Sequence, residues 1–201
     1  MPYTFTYYEN DIKENDLVLV VTQSGLSTNA IEALKIIKKK ECRAICLTGN
    51  KNSDVKDVAD VVIEYGVGEE LVGYVTKGVS SLALFLDLFA IAYSGKIEYL
   101  DELKKAVDLN EEMIDQATSF IQQHYKNFSS MSWVYSCGAG ANYGTALESA
   151  LKMGETIHIP SCCYEIEEYI HGPNLQLTPQ YNVIFFDGND GASRRVEQVY
   201  K

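Results

Sequence analysis

Clusters of positive charge are almost absent from this sequence. It carries 17 Lys and Arg residues against 28 Asp and Glu residues, which gives a formal net charge of −11. The longest basic run is Lys38–Lys40. Because proteins that bind nucleic acid neutralise many phosphates with Lys and Arg, the sequence argues against a nucleic-acid partner. An anionic ligand would have to be held by local hydrogen-bond donors.

Long apolar segments and a secretory signal are also lacking. The longest apolar run, Leu82–Tyr93, contains Asp87 and is shorter than the roughly 20 residues that cross a bilayer. The first residues, MPYTFTYYENDIKEN, have neither a basic n-region nor an apolar h-region. We therefore predict a cytoplasmic protein that has no membrane partner.

Cysteine is sparse, and its spacing suggests no pairing. The five cysteines form no C-x-x-C pair, and their odd number argues against a disulfide framework. Reduced and mostly buried thiols are expected. A zinc site can be drawn from His158, Cys162, Cys163 and His171, but adjacent cysteines fit one tetrahedral ion poorly. We predict no metal site.

Apolar strands alternate with amphipathic helices along the chain. The run DLVLVVT is nearly continuous in apolar residues, as in a strand covered on both faces, and NAIEALKIIKKK then has helical spacing. CRAICLTGN and Val61–Ile63 repeat the strand signal. A second unit has a strand at Ser132–Ser136, a glycine loop, a helix from about Thr145 and a strand in YNVIFF. This alternation predicts an α/β fold with a parallel sheet.

The segment between the two units is helical. Residues 73–94 are apolar nearly all round, which is typical of a buried helix or of a helix at an interface. Residues 96–124 have the spacing of one or two amphipathic helices. We predict a first unit over residues 1–95, a helical connector over 96–130 and a second unit over 131–201.

The turn after the first strand, in VVTQSGLSTNAIEALK, is rich in hydroxyl and amide side chains. Ser24, Ser27 and Thr28 can donate hydrogen bonds to phosphate oxygens. Gln23 can reach a sugar hydroxyl, and Gly25 lets the backbone approach. The N-terminus of the following helix adds N–H groups and partial positive charge. The alternative is a capped helix in which Ser27 or Thr28 is only the N-cap, but the density of hydroxyls favours an anion site.

Two other phosphate-binding signatures do not fit. The first loop lacks the G-x-x-x-x-G-K-[ST] pattern of nucleoside-triphosphate loops. The second loop, Gly138–Gly144, misses the dinucleotide G-x-G-x-x-G spacing by one residue, and no acidic residue ends a strand at the expected distance. The sequence therefore does not favour ATP or NAD.

Three charged residues share one face of the predicted helix in the second unit. Glu148, Lys152 and Glu155 stand at i, i+4 and i+7, within a stripe about 60° wide. A solvated face with an ordinary Glu–Lys pair explains this spacing. The functional interpretation requires that the face line a cleft, where Glu155 could move a proton between adjacent sugar carbons. His171 precedes Gly-Pro, a rigid turn that could aim an imidazole.

Three segments together resemble the sugar isomerase (SIS) family. TQSGLSTNAIEAL is similar to its Ser-Gln-Ser-Gly-Glu-Thr phosphate loop, and EELVGYVTKGVSSLALFL to its Glu-Ile-Gly-Val-Ala-Ser-Thr-Lys segment. ALESALKMGETIHI and EEYIHGP resemble its Ala-Leu-Glu-Gly-Ala-Leu-Lys-x-x-Glu helix and His-Gly-Pro turn. The nearest resemblance is to double-SIS proteins, such as the isomerase half of glucosamine-fructose-6-phosphate aminotransferase and the fructoselysine-6-phosphate deglycases.

The resemblance implies a three-layer αβα fold with a flavodoxin-like parallel sheet, in two incomplete units. It implies a phosphosugar ligand, and no metal or organic cofactor. The residues that would bind the phosphosugar are Thr22, Gln23, Ser24, Gly25 and Ser27, with backbone groups of Gly73 and Val75 lining the site.

The resemblance also implies catalytic roles in the second unit. Glu155 would be the proton-transfer base, with Lys152 and Glu148 as its polar neighbours. His171 would open the sugar ring and would be donated by the partner subunit of a homodimer. The apolar residues 73–93 fit burial at such an interface.

The chain also departs from the family pattern. Thr22 replaces the first serine of the loop, Leu26 the usual acidic residue and Ser27 the threonine. The family's first strand and loop, and its lysine-bearing tail, have no counterpart. The resemblance therefore implies a chain shortened at both ends, beginning inside the first unit and ending inside the second.

Two functions follow from this resemblance. One is an isomerase or deglycase that acts on a 6-phosphosugar or a fructosamine 6-phosphate by proton transfer between C1 and C2. The deglycase is favoured because the segment GVGEELVGYVTKGV departs from the corresponding aminotransferase sequence. Without a glutaminase domain, glutamine-dependent amide transfer is not expected from this chain alone. The alternative is a non-catalytic phosphosugar-binding module, which serves as a sensor or as a subunit.

Overall fold

Two three-stranded parallel sheets form the framework of the protein, one in each of two units, Met1–Val107 and Asp108–Lys201. The structure is a computed structural model that describes Phe5 and residues 8–201. Each sheet is flanked by helices that follow its strands in sequence. The predicted α/β fold with parallel strands is therefore confirmed.

The first sheet is built from three short apolar strands. Strands β1 (Leu19–Thr22), β2 (Ile45–Thr48) and β3 (Val61–Glu64) pair in the order β1-β2-β3. Thr22 is in register with Thr48, and Thr48 with Glu64, so each strand ends in a polar residue at the same edge. In open α/β sheets, ligands bind outside this carboxyl edge.

Helix α1 (Thr28–Lys39) packs its apolar face into the core of the first unit. Its buried residues, Ala30, Ala33, Leu34 and Ile37, form one stripe with helical spacing. This stripe packs with Val20 of β1 and with residues of β2. Leu34 and Ile37 are 0% exposed, and complete burial of such a side chain contributes about 2 kcal/mol. This packing fixes the N-terminus of α1 beside the end of β1.

Helices α2 (Lys77–Ser94) and α3 (Tyr99–Gln123) leave most of their apolar side chains exposed in the structure. Helix α2 ends at Gly95, whose positive φ of 70° is the left-handed conformation common after helices. The helix is longer than the apolar run from which the sequence predicted no membrane span. Its 18 residues have a mean hydropathy of 1.3, which is enough to cross a membrane by length and composition alone. Core helices of other proteins meet the same test.

The second unit repeats the alternation of strands and helices. Its sheet has the order β5-β4-β6, with all strands parallel. Its elements in chain order are α4 (Tyr125–Ser129), β4 (Trp133–Gly138), α5 (Ala141–Lys152), a π-helical turn (Met153–Ile157), β5 (Ser161–Glu165), α6 (Ile166–Ile170), β6 (Tyr181–Phe186) and α7 (Ser193–Tyr200). Helix α5 begins four residues before the predicted start at Thr145. Strand β5 was not predicted.

The cysteines are free thiols in different environments. Cys42, Cys46 and Cys137 are buried, whereas Cys162 is exposed and Cys163 half-buried. Burial raises the pKa of Cys46 to about 11 and that of Cys137 to about 12, so both thiols are protonated and unreactive at neutral pH. Among the residues that the structure describes, no three His, Cys, Asp or Glu side chains are grouped to hold a metal ion.

Candidate functional site

The loop between β1 and α1 is tightly folded around Gly25. Thr22 is buried at the end of β1, and Gly25 has a φ of 67°, in the left-handed region that favours glycine. A Cβ atom at Gly25 would lie 1.8 Å from Ser53 Oγ. The backbone N–H of Val55 donates to the Gly25 carbonyl (3.3 Å). The first loop is therefore packed directly onto the loop that follows β2.

That second loop contributes polar groups which the sequence analysis did not assign to the site. Thr48 Oγ1 donates to the carbonyl oxygen of Gln23 (3.3 Å), and the N–H of Gly49 donates to the same oxygen (3.0 Å). Ser53 Oγ donates to the carbonyl oxygen of Asn50 (2.6 Å). These groups could have been predicted from the Thr-Gly-Asn that ends the second strand. Parallel strands end at the same edge of a sheet, so this segment must lie close to the loop after β1.

The hydroxyl groups of the first loop do not cap helix α1. Ser27 occupies the N-cap position, yet its side chain makes no capping hydrogen bond, and the first turn contains no acidic residue. Ser24 Oγ accepts a hydrogen bond from the N–H of Leu26 (3.2 Å) and keeps its own proton to donate. The exposed Ser24, Ser27 and Thr28 thus surround a helix N-terminus that lacks a side-chain cap. An anion could accept hydrogen bonds from these groups.

Gln23 lies beside the first turn of α2. Its Nε2 donates to Glu70 Oε2 (2.7 Å), and Glu70 Oε1 accepts from the backbone N–H groups of Thr76 (2.9 Å) and Lys77 (2.7 Å). The hydrogen bond from Gln23, together with those from the backbone, holds the pKa of Glu70 below its ordinary value. Gln23 was predicted from the sequence as a site residue, whereas Glu70 was not.

Gly73 and Val75 are exposed in the segment that leads into α2. The segment starts at Glu70 and ends at the N-cap residue Thr76. The structure thus brings the predicted residues of the first unit into two adjoining segments. The hydrogen bond between Gln23 and Glu70 connects those segments.

In the second unit, Lys152 lies between two carboxylates. Its Nζ is 2.6 Å from Glu155 Oε2 and 3.4 Å from Glu148 Oε1. The hydrogen bond to Glu155 is the main cause that raises the pKa of Lys152, and the charge of Glu148 adds to it. The side chains are partly exposed, 21% for Lys152 and 34% for Glu155. The cluster can therefore be reached by a ligand while its lysine stays charged.

The helix changes its geometry at this cluster. Lys152 is the last residue of α5, and Glu155 lies in the π-helical turn Met153–Ile157, which ends at His158 with a φ of 62°. π-Helical turns within helices are frequent at functional sites. The sequence predicted one α-helical stripe; the structure keeps the three charges together although the helix widens between two of them.

Among the described residues, His171 forms no hydrogen bond or ion pair with this cluster. It ends helix α6 in an exposed position, and its backbone N–H donates to the Glu168 carbonyl (3.1 Å). Among the described residues its imidazole takes part in no hydrogen bond or ion pair. Its charge helps to lower the pKa of Glu167, after the larger effect of Arg195.

The first unit matches a known family. Residues 4–92 match the model of the SIS domain. A glutamine–fructose-6-phosphate aminotransferase (isomerizing) of Caldanaerobacter subterraneus subsp. tengcongensis is 31% identical over 180 residues, which are 84% of this chain and 29% of that relative. The chain thus spans less than a third of the length of this curated relative.

Solved structures share the fold of nearly the whole chain. A proposed phosphosugar isomerase of Clostridium difficile 630 has a TM-score of 0.85 and 28% identity, and the match covers 98% of this chain and 60% of that one. The C-terminal domain of glucosamine-fructose-6-phosphate aminotransferase from Francisella tularensis has a TM-score of 0.84 at 23% identity, covering 96% of this chain and 58% of that one. The second likeness concerns the fold alone. The match to the family model and the similarity to the curated relative show that the chain contains a SIS domain at residues 4–92.

Proposed function

We propose that this protein is a phosphosugar isomerase or deglycase, which acts on a 6-phosphosugar or a fructosamine 6-phosphate by proton transfer between C1 and C2. The observation that carries the proposal is the partly exposed Glu155 carboxylate, held by Lys152 at the end of helix α5. The SIS domain at residues 4–92 supports a phosphosugar as the ligand.

The phosphate group would bind at the loop after β1. Thr22, Ser24 and Ser27 supply hydroxyls, Gly25 allows the backbone to approach, and Gln23 contributes its backbone N–H. The N-terminus of α1 adds partial positive charge, which favours a dianion. The exposed backbone of Gly73 and Val75 would face the sugar. No cofactor or metal is required for these contacts.

Glu155 would act as the base. In a fructosamine 6-phosphate with an open ring, the amine nitrogen is bonded to C1 and the carbonyl is at C2. Glu155 takes a proton from C1 while the C2 oxygen takes a proton from solvent, which gives an enaminol. The protonated Glu155 then returns its proton to C2 and the nitrogen releases its N–H proton to solvent, which leaves a hydroxyl at C2 and an imine between C1 and nitrogen. Water then adds to C1, and the C1–N bond breaks to give glucose 6-phosphate and the free amine. Lys152 and Glu148 would fix the position and charge of the base.

His171 would open the sugar ring as an acid and base, supplied by the partner subunit of a homodimer. Its exposure on the second unit supports this role. The exposed apolar side chains of α2 and α3 support an assembly that covers them. The resemblance to double-SIS enzymes supports the same arrangement.

The test is the release of glucose 6-phosphate and free amine from a panel of fructosamine 6-phosphates. Wild type should form both products in equal amounts, and Glu155→Gln should lose the activity because the amide cannot accept the C1 proton. Glu197→Gln, on the exposed side of α7, is the matched control and should keep it. Equal activity in Glu155→Gln would contradict the role of this base.

The product assay, combined with a measurement of the melting temperature, distinguishes the enzyme from the non-catalytic alternative. If no substrate of the panel, and no hexose 6-phosphate, is converted while glucose 6-phosphate raises the melting temperature, the protein is a phosphosugar-binding module. If phosphosugars neither react nor stabilise the protein, the phosphosugar proposal as a whole is wrong.

A further inference from the structure

The carboxylate of Glu70 joins two segments that are far apart in sequence. Its Oε2 accepts a hydrogen bond from Gln23 Nε2 in the loop after β1, at 2.7 Å. Its Oε1 accepts the backbone N–H groups of Thr76 and Lys77, at 2.9 and 2.7 Å. Each oxygen therefore serves a different segment, and the carboxylate bridges the phosphate-binding loop and the start of helix α2.

The bridge fixes the orientation of the Gln23 amide. A carboxylate only accepts hydrogen bonds, so the NH₂ group of Gln23 must face Glu70. The amide oxygen Oε1 then lies against Gly78, where a Cβ atom would be 1.8 Å away. This oxygen is buried and has no hydrogen-bond partner among the described residues. The side chain of Gln23 is thus held within the protein on both sides.

Glu70 also distinguishes the N-terminus of α2 from that of α1. The first turn of α2 is occupied by a carboxylate of the chain itself, through the N–H groups of Thr76 and Lys77. The first turn of α1 has neither a side-chain cap nor an acidic residue. An added phosphate would meet a negative charge at α2 and none in the first turn of α1.

We propose that Glu70 is a positioning residue, which through Gln23 holds the segment 70–77 in place beside the loop that binds the phosphate. This inference rests on the proposed phosphosugar function. Glu70 makes no contact with the substrate in this scheme. It fixes Gly73 and Val75 relative to the phosphate, and so determines where the sugar lies.

Binding of phosphate alone depends on other contacts. The loop after β1 is held independently of Glu70, since the Gln23 carbonyl accepts hydrogen bonds from Gly49 N and Thr48 Oγ1 and the Gly25 carbonyl accepts one from Val55 N. Loss of Glu70 should therefore weaken binding of the sugar part more than binding of the phosphate part. A merely structural role would lower both affinities alike, or neither.

The experiment measures the dissociation constants of glucose 6-phosphate and of inorganic phosphate by titration calorimetry on the full chain. In Glu70→Gln, an NH₂ group replaces one of the two oxygens. If it replaces Oε1, the hydrogen bonds from the backbone N–H groups of Thr76 and Lys77 are both lost; if it replaces Oε2, it opposes the NH₂ of Gln23. We expect glucose 6-phosphate to bind about tenfold more weakly and inorganic phosphate to be nearly unchanged. Glu69→Gln is the matched control, because it removes the same charge from the neighbouring exposed residue; it should leave both constants unchanged.

Two further variants test the bridge from its other side. Gln23→Met removes the amide while Glu70 still caps α2, and it should show the same selective loss. The double variant Gln23→Glu with Glu70→Gln again places a donor opposite an acceptor. The ratio of the dissociation constants of glucose 6-phosphate and inorganic phosphate should therefore return most of the way to its wild-type value. These variants also provide a result if Glu70→Gln does not fold.

Each outcome has a separate meaning. If wild type binds glucose 6-phosphate and both Glu70→Gln and Gln23→Met bind it equally well, the positioning role is wrong and the phosphosugar site stands. If the affinities for both ligands fall by the same factor, the bridge supports the fold only. If wild type binds neither ligand, the proposed function fails, and the positioning role fails with it.

Discussion

Lys152 Nζ lies 2.6 Å from Glu155 Oε2, and this ion pair crosses the point where helix α5 widens into a π-helical turn. In a continuous α-helix two residues three positions apart are neighbours on one face. The wider turn changes the direction in which Glu155 projects, and Lys152 still contacts it while also reaching Glu148. The lysine is therefore the group that sets the position of the proposed base.

Substitution of Lys152 should affect catalysis more than stability. Lys152→Met leaves the carboxylates of Glu148 and Glu155 close together without a cation, so we expect kcat to fall by about a hundredfold. Partly exposed ion pairs contribute little to folding, so the free energy of unfolding should change by less than about 1 kcal/mol. Steady-state kinetics and urea unfolding measure the two effects. Lys126→Met, an exposed change in the same unit, should alter neither.

The framework of the site was predictable because it depends on local patterns. β1 and α1 are contiguous in sequence, and their apolar spacing identifies a buried strand followed by an amphipathic helix. Helical spacing likewise predicts that Glu148, Lys152 and Glu155 share one face of a helix. Both features could be predicted because each depends on the spacing of residues within a short stretch of sequence.

Contacts that join distant segments could not be predicted in the same way. Gln23 and Glu70 are separated by 47 positions, and only the fold brings them together. Strand β5, with the sequence SCCYE, lacks the β-branched residues that mark strands, and backbone pairing with β4 holds it in place. The π-helical turn leaves no periodic signal, because it shifts the helix over five residues only.

Gly25 should not tolerate a side chain. In Gly25→Ala the residue must keep a φ of 67°, and its Cβ would overlap Ser53 Oγ. We expect a loss of about 2 kcal/mol or more in the free energy of unfolding, with weaker phosphate binding because the loop moves. Chemical denaturation and calorimetric titration measure these quantities.

Gly66→Ala is the control that distinguishes the effect of backbone strain from the effect of the contact with Ser53. Gly66 also has a positive φ, of 80°, but a Cβ there would meet no atom within 4 Å. Gly66→Ala should therefore lower the free energy of unfolding by only about 1 kcal/mol. Equal losses in the two variants would show that the contact with Ser53 is unimportant.

Asp60 should make the stability of the first unit depend on pH. Its carboxylate accepts hydrogen bonds from Lys38 Nζ and from the N–H of Ala44, and these hold its pKa below the ordinary value of 3.8. A carboxyl whose pKa is lower in the folded state stabilises the protein above the unfolded-state pKa, and this contribution is lost as the pH falls through the folded-state pKa. The melting temperature of Asp60→Asn should therefore be lower than that of wild type at pH 7, with the difference shrinking below about pH 4. Asp57→Asn should show no such convergence, since the Asp57 carboxylate forms no hydrogen bond or ion pair among the described residues.

Mixed dimers test whether His171 acts across a subunit interface. If each site combines Glu155 of one subunit with His171 of the other, then Glu155→Gln and His171→Asn are each inactive alone. When the two variants are unfolded and refolded together, half of the dimers are mixed, and each mixed dimer contains one intact site. Activity should then return to about a quarter of the wild-type value. If both residues of a site belong to one subunit, no mixed dimer contains an intact site, and the mixture stays inactive. Light scattering on the same samples establishes the dimer, and a monomer with full wild-type activity would exclude the shared site.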